Sequence, residues 1–415
     1  MIDQHDQRTA QHALNGYSAT NGLRAAPPRE VGAVVLGGDY QGLGIVRSLG
    51  RQGVPVCVVD DERSIARLSR YARSSARIAD MGDEDRLVDD LLRIGREKGL
   101  EGWVLYPTRD ETVAAIAHHR ERLGTFFRVP TAEWSVIRWA WDKRNTYELA
   151  AEAGVPAPRT WKPASVEELD AIDGEPPFAI KPAIKEHFFY ATKAKAWRAN
   201  SRAELRELFE RALAIVGPGE VMVQELIPGD GRQQYAYCAL YSEGAPVATM
   251  VARRLRQHPP EFGRASTFVE TVDAPEVEAL AEKVLRRIGY DGLVELEFKR
   301  DPRTGIFKLL DFNARTWGYH TLAPQAGVDF PYLLFRQQLG QPVRLQRAQP
   351  GVRWVRLLTD LPTAVVEIAG RRMSLRSYLR SLRSADVEAV FSRNDPLPGL
   401  AELALIPYLS VKRGF

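Results

Sequence analysis

Cysteine is nearly absent from this chain: there are two in 415 residues, Cys57 and Cys238, each inside an apolar stretch. So few exclude a disulfide framework or a cysteine-built metal site and leave both as small buried residues. A surplus of charge is missing too. Lysine and arginine total 57 against 53 acids, a net +4, mixed along the chain, which argues against nucleic acid as the main partner. No uninterrupted apolar run approaches the roughly 20 residues of a membrane span. The opening MIDQHDQRTAQHALNGYSATNG has neither the basic start nor the apolar centre of a signal peptide. A cytoplasmic protein without a transmembrane segment is expected.

Hydrophobic residues make up 45% of the chain, enough for two or three packed domains. Residues 1–28 are polar, end near AAPPRE, and read as a disordered tail. From 29 to 128, buried-strand runs (AVVLGG, VPVCVVDDE, GWVLYPTRDE) alternate with helical patterns (GIVRSLGRQG, DRLVDDLLRIGREKG, ETVAAIAHHRERL). This alternation predicts an α/β domain built on a doubly wound parallel sheet. Its glycine loop, GGDYQGLG, is not a full G-x-G-x-x-G, although Asp60 ends the second strand where a dinucleotide enzyme would hold a ribose. The plainer reading is a framework whose glycines close turns. YPTRDE lies at a strand's C-terminal end, where open sheets gather ligand contacts.

After residue 128 the pattern becomes α+β. SVIRWAWDKRNTYELAAEAG predicts one long helix, and FAIKP, VMVQELIPG, YAYCALYSEG, APVATMVARR, LVELEFKRD and FKLLDFNAR predict strands, antiparallel where turns are short. The final segment, 341–415, holds a basic amphipathic helix around SLRSYLRSLR and is expected to pack on the domain before it.

Acids set among apolar residues point to chemistry. Residues two apart on a strand share a face, so Glu295 pairs with Glu297 and Asp311 with Asn313. The short link RDPRTG makes their strands antiparallel neighbours. Glu297, Asp311 and Asn313 then converge as hard oxygen ligands suited to Mg²⁺; the alternative is an acid-rich solvent face. Lys181 closes the apolar strand FAIKP and Lys143 lies in WDKRN. A lysine ending a buried strand needs a partner, and polyphosphate suits a compact ammonium. IKEHFFYATKAKA predicts an aromatic hairpin carrying Lys185, Lys193 and Lys195, read most simply as a basic edge strand. In VMVQELIPGD the backbone around Gln224 and Glu225 suits an adenine edge and Asp230 a ribose hydroxyl, with a surface turn as the competing view.

This ordered set resembles the ATP-grasp superfamily of carboxylate–amine ligases over residues 130 to 340, and within it the predicted carboligase group that includes D-aspartate ligase. The resemblance implies a Rossmann-like pre-ATP-grasp domain at 29–128. A two-lobed ATP-grasp fold follows at 129–340, with lobes 129–225 and 226–340. It implies ATP and Mg²⁺, or Mn²⁺ in its place, a small-molecule carboxylate and an amine as substrates, and assembly as a homodimer. By resemblance, Lys143 and Lys181 hold phosphates, Gln224, Glu225 and Ile227 contact adenine, and Asp230 holds the ribose. Glu297, Asp311 and Asn313 bind the metal, and Arg315 joins Lys181 at the reacting phosphoryl group. The glycine-rich flap common in the family is missing at 184–197, which leaves Lys193 to cover the phosphates from a lid. Arg253 and Arg254, with Arg256 beside them, are candidates to grip a carboxylate, or form a solvated edge. His320 and His258 read as neighbours of the amine or as structural residues, and His320 joins the substrate-binding set. Rival readings are a kinase-like or carboxylating ATP-grasp enzyme, a non-catalytic ATP-binding regulator and a dinucleotide oxidoreductase.

Overall fold

Ala33–Leu36 (β1) and Val56–Asp60 (β2) are buried along their whole length, as strands are when a sheet is covered on both faces. With Ala72–Arg77 (β3) and Val104–Pro107 (β4) they form a parallel sheet in the order β3-β2-β1-β4. The computed structural model describes residues 30–413 apart from 261 and 264, with the side chains of 410–413 also left aside. The tail expected at 1–28 therefore lies outside the described residues.

A second sheet is antiparallel: Thr160–Trp161 (β5), Phe178–Pro182 (β6), Trp197–Ala199 (β7) and Val221–Glu225 (β8), ordered β5-β8-β6-β7. Helix Arg202–Val216 covers it, and Phe178, Ile180, Phe188, Phe209 and Val223 form its core. The third sheet is the largest. Gln234–Ser242 (β9), Ala245–His258 (β10), Ala265–Thr271 (β11), Gly292–Arg300 (β12), Phe307–Asn313 (β13), Gln346–Arg347 (β14), Arg353–Val355 (β15) and Val387–Glu388 (β16) run in the order β13-β12-β9-β10-β11-β15-β16. β14 pairs with β10 from the side.

Two expectations change. The single long helix is two, Trp134–Trp141 and Lys143–Glu152, because Asp142 adopts extended backbone and caps the second through the Arg144 amide. That second helix packs Leu149 and Ala150 into the core beneath the large sheet with Val294 and Phe312, and Tyr147 against Ala183 and Met222. The aromatic hairpin is a helix, Lys185–Thr192, which ends on Lys193 in the left-handed region at φ 57°. Only Phe188 of that helix is buried, in the core of the second sheet.

The C-terminal segment does more than pack on its neighbour. It extends the large sheet past β11 with β15 and β16 and fastens to the first domain through Asp395. That carboxylate accepts from Arg47 Nε at 2.9 Å, Ser69 Oγ at 2.7 Å and the Arg70 amide at 2.9 Å.

Candidate active site

β12 and β13 are antiparallel neighbours, with Glu297 directly opposite Asp311 and Glu295 opposite Asn313. A bulge follows Glu297. The extra residue lies on β13, at Leu310, and brings Leu309 opposite Phe298 in the core while the acids stay on the cleft side. Glu297 accepts from Arg254 Nη2 at 3.2 Å, and Asp311 pairs with Lys143 Nζ. Burial opposes the charge on Asp311, but Lys143 and Lys195 outweigh it and hold the carboxyl below its usual range. Glu295 lies deeper. It accepts from Tyr319 Oη at 2.6 Å and Asn313 Nδ2 at 3.0 Å, and burial followed by the charge of Glu297 pushes it up to about 7. With its amide nitrogen engaged, Asn313 turns Oδ1 toward Arg315 Nη2 at 3.3 Å.

A divalent cation would meet hard oxygen donors here. Two carboxylates and an amide oxygen sit side by side, and each carboxylate already attracts a cationic side chain. Among the described residues no group of three His, Cys, Asp or Glu forms a closed cage. A partial set of hard oxygens is what Mg²⁺ uses when water and phosphate complete its shell. The residues fit the ion.

Lys181 ends β6 and donates to Gln224 Oε1 at 2.7 Å, while Gln224 Nε2 donates to Thr160 Oγ1 at 2.9 Å. The Gln224 side chain thus bridges Lys181 and Thr160. Burial lowers the Lys181 ammonium, and the nearby Lys143 charge adds to it. Lys299 donates to the Ile227 and Gly229 carbonyls, each at 2.8 Å, and fixes the segment after β8. Glu225 is held by Lys308 and by the Arg159 amide. Asp230 caps the turn Gly231–Gln233 and pairs with Arg232 at 2.6 Å.

Two cavities meet at these residues. The larger, about 1040 Å³, lies between the second and third sheets and takes in Lys143, Lys181, Gln224, Glu225, Ile227 and Asp230. The smaller, about 360 Å³, opens at the C-terminal end of the parallel sheet beside Thr108, Asp110, Asn313 and Arg315. Lys185, Lys195, Arg254, Glu297 and Asp311 line both. Both volumes fall in or near the range of small-ligand sites.

Lys185 and Lys195, expected on an edge strand, thus face the junction. Burial lowers the Lys195 ammonium, which has no hydrogen-bond or ion-pair partner among the described residues. Lys193 lines the smaller cavity. Arg253 points away from the cleft, onto Glu270 at 3.1 Å, because successive strand residues alternate faces. His320 is buried, bonded to the Trp317 carbonyl at 2.9 Å, and reaches neither cavity. Asp110 was not singled out by sequence. It accepts from Arg315 Nε at 2.5 Å and Lys185 Nζ at 2.6 Å. Burial opposes its charge, but those two cations hold it well below the carboxylate range.

The glycine loop of the parallel sheet is closed from within. Asp60 Oδ2 accepts from the Gly38 amide at 2.6 Å and Oδ1 from Arg109 at 3.0 Å, while Asp39 caps the following helix. The acid and the helix N-terminus that a dinucleotide would need are both engaged.

Residues 221–359, from β8 through β15, match the family described as "ATP-grasp in the biosynthetic pathway with Ter operon". The chain has an ATP-grasp fold. It is 24% identical over 300 residues to D-aspartate ligase of Enterococcus faecium (strain Aus0004), covering 68% of this chain and 70% of that one. An L-amino acid ligase from Bacillus licheniformis superposes with a TM-score of 0.61 at 15% identity, over 79% of each chain. The biotin carboxylase domain dimer of the Hydrogenobacter thermophilus 2-oxoglutarate carboxylase, solved with MgADP, ADP and bicarbonate, gives 0.63 at 17% identity, over 79% and 74%. The acids of β12 and β13 lie inside the matched segment.

Proposed function

We propose that this ATP-grasp protein is an ATP-dependent ligase that activates a carboxylate as its acylphosphate and joins it to an amine, releasing ADP and phosphate. One observation carries the reading: Glu297 and Asp311 stand where a nucleotide-sized cavity meets a smaller cavity lined by both acids and cations. Such a junction suits phosphoryl transfer from one ligand to another. The names of the relatives agree, two being ligases of amino acids and one a dimer in complex with MgADP.

In this reading ATP occupies the larger cavity, with its base against Ile227 and Glu225 and its ribose near Asp230. Lys143 and Lys181 attract the phosphates, and Gln224 aims Lys181 through its amide oxygen. Glu297, Asp311 and Asn313 would hold Mg²⁺ or Mn²⁺, which when bound supplies neutralisation of the transferring phosphoryl charge. Arg315 and Lys195 balance charge on the acid oxygen as it attacks the γ-phosphorus and ADP leaves. The amine then attacks the acyl carbon, phosphate departs with the C–O bond electrons, and a proton leaves the nitrogen. The lid helix Lys185–Thr192 shuts out water, to which an acylphosphate would otherwise be lost. A cytoplasmic homodimer acting on small molecules belongs to the same proposal.

The test is a screen of acid–amine pairs for ADP release followed by mass measurement of the product. Amine-dependent ADP with a new amide is expected, and Glu297→Gln and Asn313→Ala should each reduce it at least ~100-fold. ADP formed equally without amine, with a phosphorylated or carboxylated product, overturns the reading.

A further inference from the structure

Two hydrogen bonds from the lid helix Lys185–Thr192 to the first domain land on one turn. Lys185 Nζ donates to Asp110 Oδ2 at 2.6 Å, and Tyr190 Oη to Glu111 Oε1 at 3.0 Å. Asp110 and Glu111 open the helix Asp110–His118 that follows β4. Asp110 has a second client. Arg315 reaches its Oδ1 at 2.5 Å and Oδ2 at 3.1 Å, and reaches Asn313 Oδ1 at 3.3 Å. A single carboxylate therefore ties together the first domain, the lid and the residue that follows the metal-type oxygens of β13.

Lys185 and Arg315 carry like charge and repel, so they share this space because Asp110 stands between them. The lid is also held to its own lobe, where His187 Nδ1 lies 2.9 Å from Glu220 Oε2. Its one buried residue, Phe188, anchors it to its own sheet, and Tyr190 is 59% exposed. A hydrogen bond from so exposed a hydroxyl adds little to global stability. Its effect lies in where the helix rests.

We infer that Asp110 is a positioning residue that makes the orientation of Arg315 depend on lid closure, with Tyr190–Glu111 as a second clasp. With the clasps made, Arg315 is set beside Asn313 and the smaller cavity is covered by the lid. With them broken, the lid swings free and any activated acid meets water. The inference rests on the ligase reading for its consequence, and on the contacts alone for its mechanics.

Two measurements on the full-length protein separate these. The first is amide hydrogen exchange across residues 185–193 with saturating ATP and Mg²⁺, which needs no knowledge of the acid or amine. Asp110→Asn and Tyr190→Phe should each speed exchange there by roughly tenfold or less, with β12 and β13 unchanged. The second, with a productive acid–amine pair, is the ratio of ADP to amide. It should be near one for the wild type and rise in both variants, with the melting temperature of Tyr190→Phe unchanged. Unaltered exchange at 185–193 in both variants overturns the inference, as does a ratio that stays at one while turnover falls. A wild type that yields no amide with any pair overturns the ligase reading instead and leaves the exchange result to decide the clasp.

Discussion

Acid should act on this protein through His320. The ring is 1% exposed. Its Nδ1 donates to the Trp317 carbonyl, while Nε2 has no hydrogen-bond partner among the described residues. It lies so close to Gly44 that an added Cβ there would stand 2.5 Å from Nε2. A proton on that nitrogen would be a buried charge without an acceptor, and burial pushes the group down from 6.5 to about 4. The unfolded chain takes up this proton near pH 6.5 and the folded chain only near 4. The contribution of the neutral ring to stability is therefore whole above 6.5, falls through the interval and is gone below 4. At about 1.4 kcal/mol per pH unit the loss totals about 3 kcal/mol, with about 2.5 kcal/mol gone by pH 4.5. Urea unfolding of the wild type and of His320→Leu at pH 7.5 and 4.5 isolates this contribution, since other titrating groups are shared. The variant loses one hydrogen bond, about 1 kcal/mol, at both pH values, so only the difference in slope matters. The wild type should lose about 2.5 kcal/mol more than the variant. Parallel losses would show that the folded protein accommodates the imidazolium and refute the reasoning.

Two neighbouring arginines should part company. Arg254→Ala removes the cation beside Glu297 and should lower kcat/KM roughly 100-fold, whereas Arg253→Ala, on the other face with Glu270, should change it less than about twofold; steady-state ADP release compares them. Asp395→Ala strips the partner from Arg47, whose side chain is 7% exposed, and should cost about 3 kcal/mol by chemical unfolding.

The strand acids were legible because a charged or amide side chain on an otherwise apolar strand is costly unless something meets it, and Glu297, Asp311 and Asn313 do share one cleft. The arginines show the limit. Adjacent residues on β10 cannot both face the site, and which one does depends on register; two shifts occur between Arg254 and Gln257, a property of the pairing and not of the local letters. The lid was misread because eight residues rich in aromatics fit a period of 2 or of 3.6 about equally well. His320 follows Asn313 closely in sequence, but the turn His320–Leu322 carries it to Gly44 of the first domain. Asp110 left a trace in YPTRDE, an acid at the ligand edge of a parallel sheet. Its partners lie 75 and 205 positions away, beyond the reach of any local pattern.

Asp395 also sets a timetable. It follows its partner Arg47 by 348 positions, and a ribosome adding about 5 to 20 residues each second needs roughly 20 to 70 seconds to cover that distance. Throughout that wait the guanidinium destined for burial has only water to satisfy it. That corner of the parallel-sheet domain must stay wet until residue 395 has been delivered.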